Sequence, residues 1–200
     1  LFTLYTVRLV YGVNKVEITD GLRARLIGAA TVLLDEQGEA GVTLRALAKA
    51  TGVSAMAPYR HFADKAALLG AVAEAGFAEL AAVLAEADRA EPAKAALVAQ
   101  GRAYFRFAQA HPAMFRLMFG GVPGCTVAPK DYGEAFAILS RRVASLAEGD
   151  PGPATLTAWG VVHGLATLAL DGKVPADDGV ITSAMALVAE GIAGAQARNG

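Results

Sequence analysis

A single cysteine, Cys125, in 200 residues excludes an intramolecular disulfide framework and suits a reducing compartment. Proline is scarce, at eight residues, and no low-complexity run is long enough to suggest disorder. Charged residues make up 18% of the chain and the formal net charge is −1, so bulk charge points to no partner. The three histidines, His61, His111 and His163, are scattered. No His-x-x-His, Cys-x-x-Cys or Gly-x-Ser-x-Gly spacing occurs, so neither metal nor triad chemistry has support. We expect no catalytic residue, metal site or cofactor. No stretch of about 18 apolar residues runs uninterrupted, so no membrane partner is expected and the cytoplasm is the expected location.

What is present is helical. The chain is 54% hydrophobic, and long stretches of Ala, Leu, Glu and Arg show little β-branched alternation. The first 19 residues alternate like a strand and match nothing that follows. We expect a poorly ordered extension there, with a short strand or helical arm as the alternative. Arg8 interrupts its apolar start, and no signal-peptide pattern is evident. The chain opens on Leu rather than Met, so we expect a start further upstream.

From Asp20, Leu22, Leu26, Ile27, Ala30, Leu33 and Leu34 fall on one helical face. Gly38 and Gly41 should end that helix. Thr43 suits an N-cap and Gly52 a terminator, while Ser54 and Asp64 can cap the next two helices. After Asp64, apolar positions continue to about Asp88. Further helices end near His111, near the paired glycines 120 and 121, near Glu148, and within 154–171 and 179–197. Nine helices in all make an all-α protein. Residues 1–70 hold eight Lys/Arg and six Asp/Glu, the remainder ten and thirteen, so a mildly cationic head precedes an acidic body.

Thr43 to Phe62 reads as a helix-turn-helix. Ala48 is small enough for a helix crossing, and Gly52 can take positive φ in the turn. Leu44, Leu47, Val53, Pro58 and Phe62 supply locking apolar contacts. A second helix from Ser54, about eight residues and about 12 Å long, would suit a major groove. Pro58 leaves its start open between Ser54 and Ala57, because proline removes a donor and restricts the residue before it.

The stretch "VTLRALAKATGVSAMAPYRHFADKAALL" resembles the DNA-binding head of tetracycline-repressor-like (TetR) transcriptional regulators. It shares the Thr-capped helix, the Gly-Val-Ser turn, the Tyr-x-x-Phe ending and the Asp-Lys that opens the next helix. "YFRFAQAHPAMFRLMFG" and "AWGVVHGLATLALDG" are similar to the regulatory half of a subgroup marked by Trp-x-x-x-His-Gly, here Trp159, His163 and Gly164. The resemblance implies a head at 20–68, a long helix leading out of it, and a ligand-binding and dimerisation domain at 69–200. It also implies a homodimer formed through the last two helices, a roughly palindromic DNA operator and a small apolar or amphipathic effector.

Thr43 and Ser54 stand at helix N-termini suited to phosphate, and Lys65 can add a charge-assisted contact. The family's matching positions add Tyr59 and His61 to the phosphate set. Base reading falls to Arg45, Ala55, Met56, Ala57 and Arg60, with the two arginines as leading candidates because guanidinium pairs bidentately with guanine. A solvated face is the alternative for those arginines, and plain filler the alternative for Met56. In the body, Tyr104, Phe107, His111, Phe115, Met118, Trp159 and His163 are candidates to line an effector pocket, against an ordinary core role for each. His163 can belong to the pocket or to the dimer interface. Cys125 reads as a bystander thiol more readily than as a redox sensor. The competing function is a helical ligand-binding dimer that no longer reads DNA.

Overall fold

The computed structural model describes residues 21–120 and 133–196, with side chains to residue 194. The expected N-terminal extension and Cys125 lie outside the described residues. Within them the protein is wholly helical, with eight α-helices and one 3-10 turn.

Helix α1 (Leu22–Gly41) buries Leu26, Ala30, Leu33 and Leu34, the face expected from their spacing. Helix α2 (Leu44–Thr51) starts where the Thr43 hydroxyl accepts the Ala46 N–H at 3.0 Å. It stops at Gly52, whose φ of 69° is a left-handed cap that favours glycine. Helix α3 (Lys65–Ala87) is capped by Asp64, which accepts the Ala67 N–H at 2.8 Å. Leu26, Leu47, Phe62 and Leu68 close the core of the head. Burying each leucine side chain contributes about 1.5–3 kcal/mol relative to exposure.

The body comprises α4 (Ala93–Ala110), α5 (Pro112–Gly120), α6 (Gly133–Ala144), α7 (Gly152–Leu170) and α8 (Asp178–Gln196). Helix α4 is its axis and packs on α3, α5, α6, α7 and α8. Gly101 lets α8 approach α4 closely, because a Cβ there would collide with the Met185 side chain. Arg102 and Arg106, one turn apart on α4, both reach Asp178 in the first turn of α8. Gly76 does for α3 and α5 what Gly101 does for α4 and α8: a Cβ would come within 2.7 Å of Met118 Sδ.

Among the described residues two helices, α3 and α7, are long and apolar enough to cross a membrane by length and composition alone. More than half of α3's apolar stretch is buried, 56%, as befits a core helix; only 22% of α7's is. The uncovered part of α7 carries exposed Leu156 and Leu168, and α8 adds exposed Val180 and Leu187.

One expectation fails. The second helix of the helix-turn-helix is not an α-helix of eight residues but a turn followed by a 3-10 segment, Pro58–Arg60. Ala57 N–H bonds to Ser54 C=O at 2.9 Å, Arg60 to Ala57 at 3.2 Å and His61 to Pro58 at 3.0 Å, all of the tighter i→i+3 kind. Pro58 has no N–H to return to Ser54, so the α-ladder cannot start there. The later of the two expected starts, at Ala57, is therefore the observed one, and the expected nine helices become eight plus this segment.

Candidate nucleic-acid interface and apolar cavity

The head presents its polar side chains outward. Thr43, Arg45, Ser54, Ala55, Met56, Tyr59, Arg60 and His61 are exposed, and Ala57 and Lys65 are half-buried. Met56 and Tyr59, at 65% and 50% exposure, are large apolar groups that the head leaves in solvent. Pro58 and Phe62 turn inward and are buried, so Tyr59, Arg60 and His61 are thrown onto the outer surface. Ala55 and Met56 lie in the turn, ahead of the 3-10 segment rather than on a helix.

Cationic groups in the head divide by partner. Lys65 Nζ donates to the Glu39 carbonyl at 2.6 Å, tying the start of α3 to the end of α1. Arg25 Nη2 donates to the Thr51 carbonyl at 3.2 Å, and the Arg23 guanidinium lies 5.4 Å from the Phe62 ring centroid. Arg45 and Arg60 are different. Both are exposed, and among the described residues neither guanidinium has a hydrogen-bond or ion-pair partner.

Inside the body, six helices line a partly open apolar cavity with about 40 Å³ of free space. Helix α3 contributes Phe77, Leu80 and Leu84, α4 Gln100, Gly101 and Tyr104, and α5 Phe119. Ala135, Phe136 and Leu139 come from α6, Trp159 and Val162 from α7, and Met185 from α8. The apolar lining with a few polar groups is that of a small-molecule site.

Of the seven pocket candidates named from sequence, Tyr104 and Trp159 line this cavity. Phe107, His111, Phe115, Met118 and His163 do not, and each is explained by packing. His163 stands behind the wall, where its Nδ1 is 2.8 Å from the Tyr104 hydroxyl. Its ring stacks on Phe115 at 5.4 Å and meets Phe119 at 4.7 Å and Trp159 at 5.7 Å. Burial lowers its pKa from the usual histidine value and so favours the neutral ring. Phe115 and Met118 are on the buried face of α5, and Phe107 is buried with its ring 5.2 Å from that of His111.

His111 marks the seam between head and body. It closes α4, and its Nε2 is 3.4 Å from Glu79 Oε1 on α3. The Glu79 hydrogen bond raises its pKa, with Asp35 of α1 adding a smaller pull. Asp35 is itself raised, chiefly by burial.

Sequence reasoning missed Gln100 and most of the cavity wall. One signal was available: Leu97, Gln100, Gly101 and Tyr104 recur at i, i+3, i+4 and i+7, a polar residue within an apolar stripe. Gln100 is only 2% exposed.

Comparison with known proteins supplies the family. Residues 26–72 match the family described as bacterial regulatory proteins, tetR family, and residues 97–190 match the tetracyclin repressor-like C-terminal domain. The chain belongs to the TetR family. This TetR-family chain is 34% identical to a solved structure from Rhodococcus sp. RHA1 described as a protein with unknown function. That match has a TM-score of 0.76 and covers 90% of this chain and 99% of the other. A TetR transcriptional regulator from Streptomyces coelicolor is 24% identical, with a TM-score of 0.66 over 86% of this chain and 97% of its own. A TetR family regulator from Marinobacter aquaeolei VT8 is 20% identical, again at 0.66, over 85% and 94%. These last two share the fold. No curated protein matches the chain. The helix-turn-helix head is thus that of a DNA-binding transcription regulator.

Proposed function

We infer that this TetR-family chain is a homodimeric transcriptional repressor, acting in the cytoplasm, whose hold on a roughly palindromic operator is released by a small effector. One observation carries this reading: α3 belongs to both halves. Its first turn follows the exposed reader directly, and its Phe77, Leu80 and Leu84 line the cavity. Twelve residues of helix, about 18 Å, separate Lys65 from Phe77. An effector that displaces the cavity wall therefore moves a rod whose other end carries the reader.

In this reading Arg45 and Arg60 are the base readers, because their guanidiniums are exposed and lack partners within the described head. Thr43, Ser54, Tyr59, His61 and Lys65 orient the head on phosphates, while Ala55, Met56 and Ala57 allow close approach or meet thymine methyls. The uncovered stripe of Leu156, Gly160, Gly164 and Leu168 on α7, with Val180 and Leu187 on α8, is the self-association face. A twofold dimer would set two heads one DNA turn apart, about 34–36 Å.

The test is a mobility-shift assay with the intergenic DNA flanking the gene, at two salt concentrations. Sequence-selective, salt-dependent binding is expected. Arg60→Ala should weaken it by about 1–3 kcal/mol and relax preference at one base step. A loss uniform across sequences would make Arg60 a phosphate contact. No selective binding at all would favour a ligand-binding dimer that does not read DNA.

A further inference from the structure

The cavity has a chemical preference built into one residue. Gln100 is 98% buried by its 2% exposure, and it lines the cavity. Its Nε2 donates to Asp88 Oδ1. Its Oε1 is buried with no hydrogen-bond partner among the described residues.

That orientation is determined by what lies behind it. Asp88 closes α3, and its Oδ1 also accepts Arg142 Nε at 2.7 Å; its backbone carbonyl accepts Arg142 Nη2 at 2.9 Å. With the guanidinium donating to the same oxygen, Oδ1 serves here as an acceptor. Rotating the amide of Gln100 would set Oε1 against a carboxylate oxygen, acceptor facing acceptor. The NH₂ is therefore held toward Asp88 and the carbonyl is left over. A buried acceptor without a donor is unfavourable by the desolvation of that group, and it is relieved by anything that brings an N–H or O–H.

The rest of the wall does not compete for this role. The Tyr104 hydroxyl is engaged with His163, and the remaining lining residues are apolar or aromatic, with Trp159 offering only a donor. Among the described residues no cationic side chain lines the cavity. A carboxylate or phosphate would find no counter-charge among them and would meet the Gln100 carbonyl with like polarity.

We propose that the cavity takes a neutral, largely apolar molecule bearing one hydroxyl or N–H donor, which is accepted by Gln100 Oε1. This rests on the cavity being the effector site, and the experiment separates the two claims. Trp159 is the only tryptophan and lies in the cavity wall, so its fluorescence reports occupancy directly. The full chain is titrated with cyclohexanol, methoxycyclohexane and cyclohexanecarboxylate, probes of similar size that differ in donor and charge.

Cyclohexanol should bind about tenfold more tightly than the ether, and the carboxylate more weakly still. In Gln100→Met, checked for folding by its thermal transition, that preference should vanish. In Tyr104→Phe it should persist. Binding without preference for the alcohol overturns the Gln100 assignment and leaves the cavity as a ligand site. A preference that survives in Gln100→Met, or disappears in Tyr104→Phe, also overturns it. If no probe changes Trp159 emission in any variant, the effector-site reading falls and the proposal falls with it.

Discussion

The head and the body of this protein use opposite strategies. Within about twenty residues, the head sets a cap at Thr43, a left-handed stop at Gly52 and a second cap at Asp64, and turns its polar side chains outward. The body instead turns inward, around a cavity whose walls come from six helices and run from Phe77 to Met185 along the chain. The difference is one of range. Surface chemistry on a short motif follows from local conformational rules, whereas an internal site depends on which distant helices meet.

The strongest test of this comparison asks whether the two regions are one cooperative unit. Leu47 in the head and Leu97 in the body are both fully buried. Leu47→Ala and Leu97→Ala should each lose about 2–5 kcal/mol. Because α3 runs through both cores, both should shift one shared urea transition, followed by Trp159 fluorescence and by far-ultraviolet dichroism. A Leu47→Ala protein whose Trp159 transition is unmoved would show the head to be a separable unit.

A smaller effect sharpens the local side of the contrast. Asp64→Ala removes the oxygen that accepts the Ala67 N–H and should cost about 0.5–2 kcal/mol, read as a lower denaturation midpoint. Its effect on probe binding in the cavity should be smaller than on stability, since Asp64 lies more than three helical turns from Phe77. A cavity affinity that falls by as much as the stability would show that loss of the cap unwinds α3 as far as the cavity wall.

The smallest effect lies at the seam. His111, with its pKa raised by Glu79, contributes stability that is fully present below the ordinary histidine value and is lost as pH rises through its folded pKa. His163, lowered by burial, has the opposite sign: it weakens the fold as pH falls through the ordinary value. His111→Gln should therefore remove the alkaline loss and leave the acidic one, in denaturation midpoints taken from about pH 5 to 8. An unchanged alkaline limb would mean that the Glu79 contact contributes nothing to joining head and body.

The sequence was most legible where physics is local. The Thr43 and Asp64 caps, the Gly52 stop, the α1 face and the inward turn of Pro58 follow from residue type and spacing. The second helix of the motif was misjudged because the apolar spacing that argued for a helix is equally satisfied by two tighter turns, and the missing N–H of Pro58 decides between them. Only two of the seven residues expected at an effector pocket line the cavity, for another reason. Phe107, Phe115 and Met118 have the same apolar character as Phe77, Leu80 and Leu84, and nothing in a helical period says which neighbour each will meet.

By itself, then, the sequence determined an all-helical chain, a TetR-type head and the ends of most helices, because capping, φ preference and 3.6-residue periodicity act within a turn or two. Only the tertiary structure decided that Tyr104 and Trp159 face the cavity, that His163 stands behind its wall and that His111 belongs to the seam. It also decided that Gln100, pinned by Asp88 from one side, turns to the other a carbonyl that has no partner among the described residues. The physical reason is the same each time: a side chain's role is set by what packs against it, and those partners lie up to 96 residues away along the chain, as Lys94 and Glu190 do.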